Sequence, residues 1–321
     1  MLIFIAIAMA LYMAWSIGAN DSANSLGVAV GSRVMSIRRA IVIGSLAGFI
    51  GAFFFSSPVI NTIGKGIIES AWLNITAATI IFFITGTLLG LASWRGLPLS
   101  TTQTLIGVII GYSLSIGARL NNVILGNIII SWVISPLFGI ILGFVSCIIL
   151  RVIVFSRIKS MLQKESIERR FATLQIFSVM LLALAYGAND IPNAVGILSE
   201  IELFLPLLFF ASVAFILGIA MFGPKVIQTL GTKITSTELS SVHGFIIQAV
   251  AGFIVLVFTI FGMPVSTTHI TVGTIMGVGL GNGLGWAGIR WRTMAEILFS
   301  WIFIIPIGAF AGWAITSIML R

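Results

Sequence analysis

The chain has 321 residues, of which 59% are hydrophobic and only 8% are charged, and its mean hydropathy is +1.17. Charged residues make up about a quarter of an ordinary soluble domain, so this composition excludes one and predicts an all-α polytopic membrane protein. The net charge is +8. In a membrane protein, the first explanation to test for such a charge is the excess of Lys and Arg expected in cytoplasmic loops. The single cysteine, Cys147, excludes an intramolecular disulfide.

The first predicted helix, over residues 2–17, runs into a polar motif, Gly-Ala-Asn-Asp-Ser-Ala-Asn, at residues 18–24. Glycine, asparagine and aspartate are poor helix formers, and the last two compete for backbone hydrogen bonds, so the motif predicts a broken helix. Further along, two apolar arms flank the motif Pro98-Leu99-Ser100-Thr101-Thr102. The second arm is short, which predicts a re-entrant helical hairpin. The elements predicted for this half are a span at 40–56, a polar connection at 58–72, hairpin arms at 73–94 and 105–117, and a long span at 122–150.

Both motifs return in the same order in the second half, as Gly-Ala-Asn-Asp-Ile-Pro-Asn at residues 187–193 and as Pro264-Val265-Ser266-Thr267-Thr268. Asp21 and Asp190 are the only aspartates in the chain, and they precede the serines of the second motif by 79 and 76 residues. This pattern indicates an internal duplication, with a site where the halves meet. It divides the chain into a first repeat at 1–155, a short linker at 156–171 and a second repeat at 172–321.

The predicted topology makes the two repeats inverted. Each hairpin returns the chain to the side it entered from, so each half makes an odd number of net crossings. With both termini outside and the linker in the cytoplasm, the positive-inside rule is obeyed, and the positive charge needs no nucleic-acid partner. Thirteen of the seventeen basic residues are then cytoplasmic: Arg33, Arg38, Arg39, Arg151, Arg157, Lys159, Lys164, Arg169, Arg170, Lys225, Lys233, Arg290 and Arg292.

The Ser-Thr-Thr turns have the chemistry of an anion site. Ser100, followed three residues later by Gln103, predicts a capping box at the start of a helix. A helix start presents backbone N–H groups and a partial positive charge, and hydroxyls beside it add donors. Two such turns from inverted halves would face one small oxyanion from opposite sides.

The two aspartates lie at membrane depth, where an ionisable group is by default a functional-site hypothesis. Two carboxylates would repel a fully deprotonated dianion, but they would accept hydrogen bonds from the protonated oxygens of hydrogen phosphate. They would also hold a cation beside the anion, with amide oxygens from Asn20, Asn24, Asn189 and Asn193. A bound cation offsets the charge of the anion, and this reciprocal effect is what symport requires. Sodium and a proton both remain open as the coupling ion.

The motifs, taken together, resemble those of the inorganic phosphate transporter family called PiT, and the similarity spans the chain from Gly18 to the last span. The resemblance implies two inverted-topology repeats with broken helices and two hairpins, a central phosphate site, cation coupling, a plasma (inner) membrane location and a homodimer. It implies no enzyme activity and no cofactor. The implied phosphate contacts are Asp21, Asn24, Ser100, Thr101, Thr102, Asp190, Asn193, Ser266, Thr267 and Thr268, and the implied sodium ligands are Asn20, Asp21, Gln103, Asn189 and Asp190.

Two other functions are compatible with parts of the pattern. An intramembrane aspartyl protease also uses two membrane aspartates, although it predicts two unlike contexts for them. In a passive anion channel the helix dipoles would also attract anions, but the internal duplication does not favour a channel. Two minor hypotheses concern single positions: His269 occupies the slot matched by Gln103 and lines the site, and Glu69 or Glu238 forms a gate with Lys65 or Lys233.

Overall fold

A computed structural model describes residues 1–69, 72–154, 156, 158–233 and 239–320, without the side chains of residues 22–24, 225 and 228–233. This part of the chain is helical, contains no strand, and holds one isolated bridge between Ile68 and Leu120. Eight of its helices are long and apolar enough to cross a membrane. The prediction of an all-α polytopic membrane protein is therefore confirmed.

The helices follow the order of the predicted elements. They are α1 (Leu2–Gly31), α2 (Ile37–Phe55), α3 (Ser57–Lys65), α4 (Ile75–Trp94), α5 (Thr101–Ile116), α6 (Asn122–Ile153), α7 (Met161–Asp190), α8 (Pro192–Val195), α9 (Phe204–Lys233), α10 (Ser241–Ile260), α11 (Thr267–Gly281) and α12 (Trp291–Met319). Helices α4 and α5 form the first hairpin, and α10 and α11 form the second. The second arms have 16 and 15 residues, shorter than the roughly 20 needed to cross a bilayer.

The predicted break at the first polar motif is wrong, whereas the break at the second is confirmed. Helix α1 runs without interruption from Leu2 to Gly31, whereas α7 ends at Asp190 and a separate short helix begins at Pro192. The difference follows from the residues after each aspartate. Pro192 has no N–H to donate and its ring collides with the preceding turn, while Ser22 and Ala23 in the first copy leave the helical hydrogen bonds intact.

Two segments predicted to be loops are partly helical. Helix α3 lies inside the predicted polar connection and has Pro58 in its first turn, where the missing N–H costs no hydrogen bond. Helix α7 begins at Met161 and includes most of the charged linker. Lys65, at the end of α3, forms an ion pair with Glu200 (Nζ–Oε1 2.8 Å), so its predicted pairing with Glu69 is wrong. Glu238 and the Lys233 side chain lie outside the described residues.

The two halves exchange helices at four of their six large contacts, while α1 with α4 and α7 with α10 pack within one half. Helix α1 packs on α9, and in the matched crossing α7 packs on α2. The first glycine of each polar motif permits these crossings. A Cβ on Gly18 would lie 2.0 Å from the carbonyl oxygen of Phe215, and one on Gly187 would lie 1.8 Å from that of Gly48. Only glycine fits at either place, as is usual where membrane helices approach closely.

The same exchange joins each short hairpin arm to the last span of the other half. A Cβ on Gly111 of α5 would lie 1.9 Å from the carbonyl oxygen of Ala309 in α12, and one on Gly277 of α11 would lie 2.2 Å from that of Ile140 in α6. The internal duplication seen in the sequence thus recurs as a duplicated set of contacts. The opposite orientation of the two repeats in the membrane remains a prediction.

We expect Gly51→Ala to destabilise the α2–α7 crossing. The new Cβ would lie 1.9 Å from the carbonyl oxygen of Leu184, and such overpacking costs about 1–3 kcal/mol. The measurement is the midpoint of thermal unfolding in detergent. Gly126→Ala is the control, since nothing lies within 4 Å of its Cβ position. Equal midpoints for the two variants would show that the crossing tolerates the methyl group.

Candidate substrate site

Each Ser-Thr-Thr turn starts a helix, as the sequence predicts. The Ser100 side chain accepts a hydrogen bond from the Gln103 backbone N–H (3.3 Å), and Ser266 accepts one from the His269 N–H (3.3 Å). These are N-cap bonds, and they leave the positive ends of the α5 and α11 dipoles at the two hydroxyl turns.

The motif asparagines fasten the hairpins to the long helices. Asn20 donates from Nδ2 to Ser93 Oγ (3.2 Å) and to the Leu97 carbonyl (3.0 Å), and its Oδ1 accepts from the Leu99 N–H (3.0 Å). Asn189 repeats two of these bonds, donating to Thr259 Oγ1 (2.9 Å) and to the Met263 carbonyl (3.2 Å). Its Oδ1 accepts no hydrogen bond from any described residue. Both asparagines, predicted as cation ligands, therefore also hold the hairpin tips in place.

The two aspartates lie beside the first threonine of each turn. Thr101 donates to Asp21 Oδ2 (2.8 Å) and Thr267 donates to Asp190 Oδ2 (3.0 Å). Each aspartate is 1% exposed, and the second carboxylate oxygen of each has no partner among the described residues. The site thus contains two matched carboxylates, each with one oxygen bonded to a hydroxyl and one available as an acceptor.

The second threonines join the two turns directly. Thr102 donates to the Val265 carbonyl (3.0 Å), and Thr268 donates to the Leu99 carbonyl (3.4 Å). Beside them, His269 Nε2 lies 3.2 Å from Gln103 Oε1, and the His269 ring stacks on Trp301 with centroids 3.6 Å apart. The site therefore lies at the contact between the halves, with His269 buried in it.

Two predicted phosphate contacts come from the residues that follow the aspartates. Asn193, in α8, is fully buried, and neither atom of its side-chain amide has a hydrogen-bond partner in the described part of the chain. A buried amide without partners is costly in an apolar environment and is typical of a group that binds a ligand. The Asn24 side chain lies outside the described residues.

The sequence analysis missed three side chains that position the site. Ser93 and Thr259, the partners of the motif asparagines, each precede the serine of their turn by seven residues, so a longer comparison of the two halves would have found them. Tyr186 donates to the Thr267 carbonyl (3.0 Å) and forms a short hydrogen bond with Thr271. No repeat signal marks it, because Ile17 occupies the matched position in the first half.

The chemistry of this arrangement suits a small oxyanion together with a hard cation. Two helix starts and their hydroxyls supply donors, and the free carboxylate and amide oxygens supply acceptors. Oxygen ligands of this kind favour hard cations. Within the described residues, no cluster of three or more His, Cys, Asp or Glu side chains forms a transition-metal site.

The family profile, the relatives and the solved structure that resemble this chain all carry names of phosphate transporters or permeases. The profile of the phosphate transporter family matches residues 17–312. The chain belongs to the phosphate transporter family. A putative phosphate permease of Pyrococcus furiosus is 29% identical over 99% of this chain and 97% of its own length. A chloroplastic inorganic phosphate transporter of Arabidopsis thaliana is 28% identical over 96% of this chain and 71% of its own. A solved structure of a sodium-dependent phosphate transporter shares 26% identity and a TM-score of 0.91, over 99% of both chains.

Family membership removes the protease hypothesis, since this is a family of transporters and not of enzymes. The chain is therefore a multi-pass membrane protein of a phosphate transporter family. The resemblance stated from the sequence motifs is confirmed.

We expect Asn20→Ala to destabilise the first hairpin. The change leaves the Leu97 carbonyl and the Leu99 N–H without their partner, at about 1–3 kcal/mol for each buried group. A lower midpoint of thermal unfolding in detergent measures this. Asn127→Ala, at an exposed position of α6, should leave the midpoint unchanged. A role for Asn20 in cation binding alone predicts instead that Asn20→Ala unfolds normally but loses sodium dependence.

Proposed function

We propose that this protein imports inorganic phosphate by symport with a cation, with sodium favoured over a proton, through alternating access. The observation that carries the proposal is the pair of buried carboxylates, each bonded to a threonine at a helix start and each with one oxygen that no described residue contacts. The sodium-dependent phosphate transporter with the same fold supports sodium as the coupling ion.

Phosphate recognition would use both the positive helix ends and the negative carboxylates of the site. The positive ends of α5 and α11 and the six hydroxyls of the turns attract the anion, while the carboxylates accept hydrogen bonds from its protonated oxygens. In the structure the hydroxyls of the four threonines bond to protein atoms. We infer that bound phosphate replaces the Thr102–Val265 and Thr268–Leu99 bonds, which hold the two turns together.

Sodium would bind beside the anion, at the carboxylate oxygens and the amide oxygens of the polar motifs. Asp190 Oδ1, Asn189 Oδ1 and Asn193 Oδ1 are buried and accept no hydrogen bond from the described residues, which supports the second motif as a cation site. Asn20 Oδ1, the atom matched to Asn189 Oδ1 in the first motif, already accepts the Leu99 N–H. Each ion would lower the cost of binding the other, which is the coupling that symport needs.

Alternating access would follow from the exchanged helices. Each hairpin is fastened to the long first helix of its own half by Asn20 or Asn189, and its short arm packs on the last span of the other half. A hairpin therefore cannot shift without moving elements of both repeats. A predicted inverted relation between the repeats would let one such movement close the site on one side while opening it on the other.

We expect purified protein in proteoliposomes to take up labelled phosphate when sodium is higher on one side of the membrane. Asp21→Asn and Asp190→Asn should each reduce the initial rate by about 10- to 100-fold, because a charged hydrogen-bond acceptor is lost. Glu165→Gln, at an exposed carboxylate of α7, should not.

No uptake under either a sodium or a proton gradient would contradict the proposal. Uptake that does not saturate and that ignores both gradients would favour a passive channel. Uptake driven by the proton gradient alone would retain symport and replace the coupling ion.

The predicted topology can be tested separately. In a Cys147→Ser background, Asn122→Cys and Ser166→Cys each place one thiol at an exposed position. We expect a membrane-impermeant maleimide to label Asn122→Cys in intact cells and Ser166→Cys only after permeabilisation. The reverse pattern would place the linker outside and would violate the positive-inside rule.

A further inference from the structure

A cavity lies at the far end of the second hairpin from the hydroxyl turns. It has a volume of about 270 Å³, is partly open to the surface, and is lined by the end of α6, the start of α7, the start of α10 and the residue after α11. At ~30 Å³ per water molecule it has room for roughly nine waters, enough for a small polar group. The charged and polar residues that line it are Arg151, Lys164, Glu168, His243 and Asn282.

The charged side chains that line the cavity are two cations, Arg151 and Lys164, and one carboxylate, Glu168, so the positive charge is in excess. Neither cation forms an ion pair with a described residue. The Glu168 Oε2 accepts the Ser241 backbone N–H (3.1 Å) and the Ser241 hydroxyl, so this carboxylate oxygen is held at the start of α10. The excess positive charge favours an anion in the cavity.

One wall of the cavity is apolar, formed by Leu150, Val242 and Ile246. Cations above an apolar wall, between the ends of membrane helices, match a phosphate group that is attached to a glycerol and its acyl chains. Basic pockets between transmembrane helices on the cytoplasmic side are known to bind anionic headgroups.

The repeat does not account for these polar residues. The positions matched to His243 and Asn282 in the first half are Ala77 and Ile116, and the position matched to Arg151 in the second half is Leu320. The turns after α5 and α11 both contain a glycine with positive φ, Gly117 (+72°) and Gly283 (+100°). A Cβ on Gly283 would lie 2.7 Å from the Arg151 guanidinium, whereas the same atom on Gly117 would meet nothing within 4 Å. Arg151 is thus packed against a turn whose counterpart is open.

We propose that this cavity binds a phosphate group, supplied either by an anionic phospholipid headgroup or by a free phosphate ion. Arg151 and Lys164 supply the charge, and His243 and Asn282 supply further polar contacts. The site does not depend on the transport function and is separate from the carboxylate site.

The double variant Arg151→Gln/Lys164→Gln tests the proposal against Arg38→Gln/Arg39→Gln, which removes the same charge from exposed residues outside the cavity. One probe is phosphatidylglycerol, whose adducts on the full chain are counted by native mass spectrometry with phosphatidylcholine as the reference lipid. The other is labelled inorganic phosphate, whose molar ratio to protein is measured in nanodiscs of phosphatidylcholine alone.

We expect the cavity variant to weaken one of the two probes by roughly tenfold or more, as the loss of charge-assisted hydrogen bonds predicts, while the control variant does not. A loss of phosphatidylglycerol adducts alone identifies a lipid headgroup. A lower ratio of bound inorganic phosphate identifies the free ion. Equal effects of the two double variants, or no effect of either, would overturn the proposal.

A second pair of variants leaves the charge unchanged. Gly283→Ala strains a positive-φ turn and displaces the Arg151 guanidinium, while Gly117→Ala strains the matched turn where nothing is displaced. Weaker binding of the same probe in Gly283→Ala only supports a positioned guanidinium. Unchanged binding in Gly283→Ala, with the fold intact by thermal unfolding, would contradict it.

Discussion

The cost of burying two carboxylates governs the rest of this structure. Asp21 and Asp190 are 1% exposed, and each receives one hydrogen bond from a described side chain. An ionised carboxylate removed from water is stable only when it is paired or hydrogen-bonded. Two threonine hydroxyls and the positive ends of two helices offset part of this cost. A bound cation or proton would offset much of the remainder. In the proposed function the same positive charge would also favour binding of the anion.

The exchange of helices between the halves explains why these groups meet. Each hairpin tip is held by the asparagine of its own half, and each second threonine donates to a carbonyl of the other hairpin. The bonds of the second threonines therefore both build the site and join the repeats. A ligand that competes for the threonine hydroxyls acts directly on the contact between the two hairpins, which links occupancy of the site to the relative position of the halves.

Much of the fold and of the candidate site could be predicted from the sequence, because each motif occurs twice and the two copies can be compared. The matched motifs predict the two Ser-Thr-Thr turns and the two aspartates of the candidate site, and Gln103 predicts the N-cap at Ser100. The predicted break in the first helix was wrong because it rested only on the low helix propensity of single residues. Helix α1 is unbroken although it carries the same Asn-Asp pair as α7, because no proline follows Asp21 as Pro192 follows Asp190. Pairing of Lys65 with Glu200 could not be predicted either, since it depends on how α3 folds back onto the second half.

The two halves differ where their first helices meet the hairpins away from the site. In the second half, Gln175 donates to Gln248 (3.0 Å), and Gln248 donates to the Ser25 carbonyl of α1 (2.8 Å). The matched positions in the first half hold Ala6 and Phe82, which are equally buried. An amide that separates from its partners regains hydrogen bonds from water, whereas a phenylalanine exposed to water loses the stabilisation from apolar burial. At these matched positions the first helix and the hairpin of each half are thus held by contacts of different chemistry, so under the proposed alternating access the two directions of opening would differ in energy.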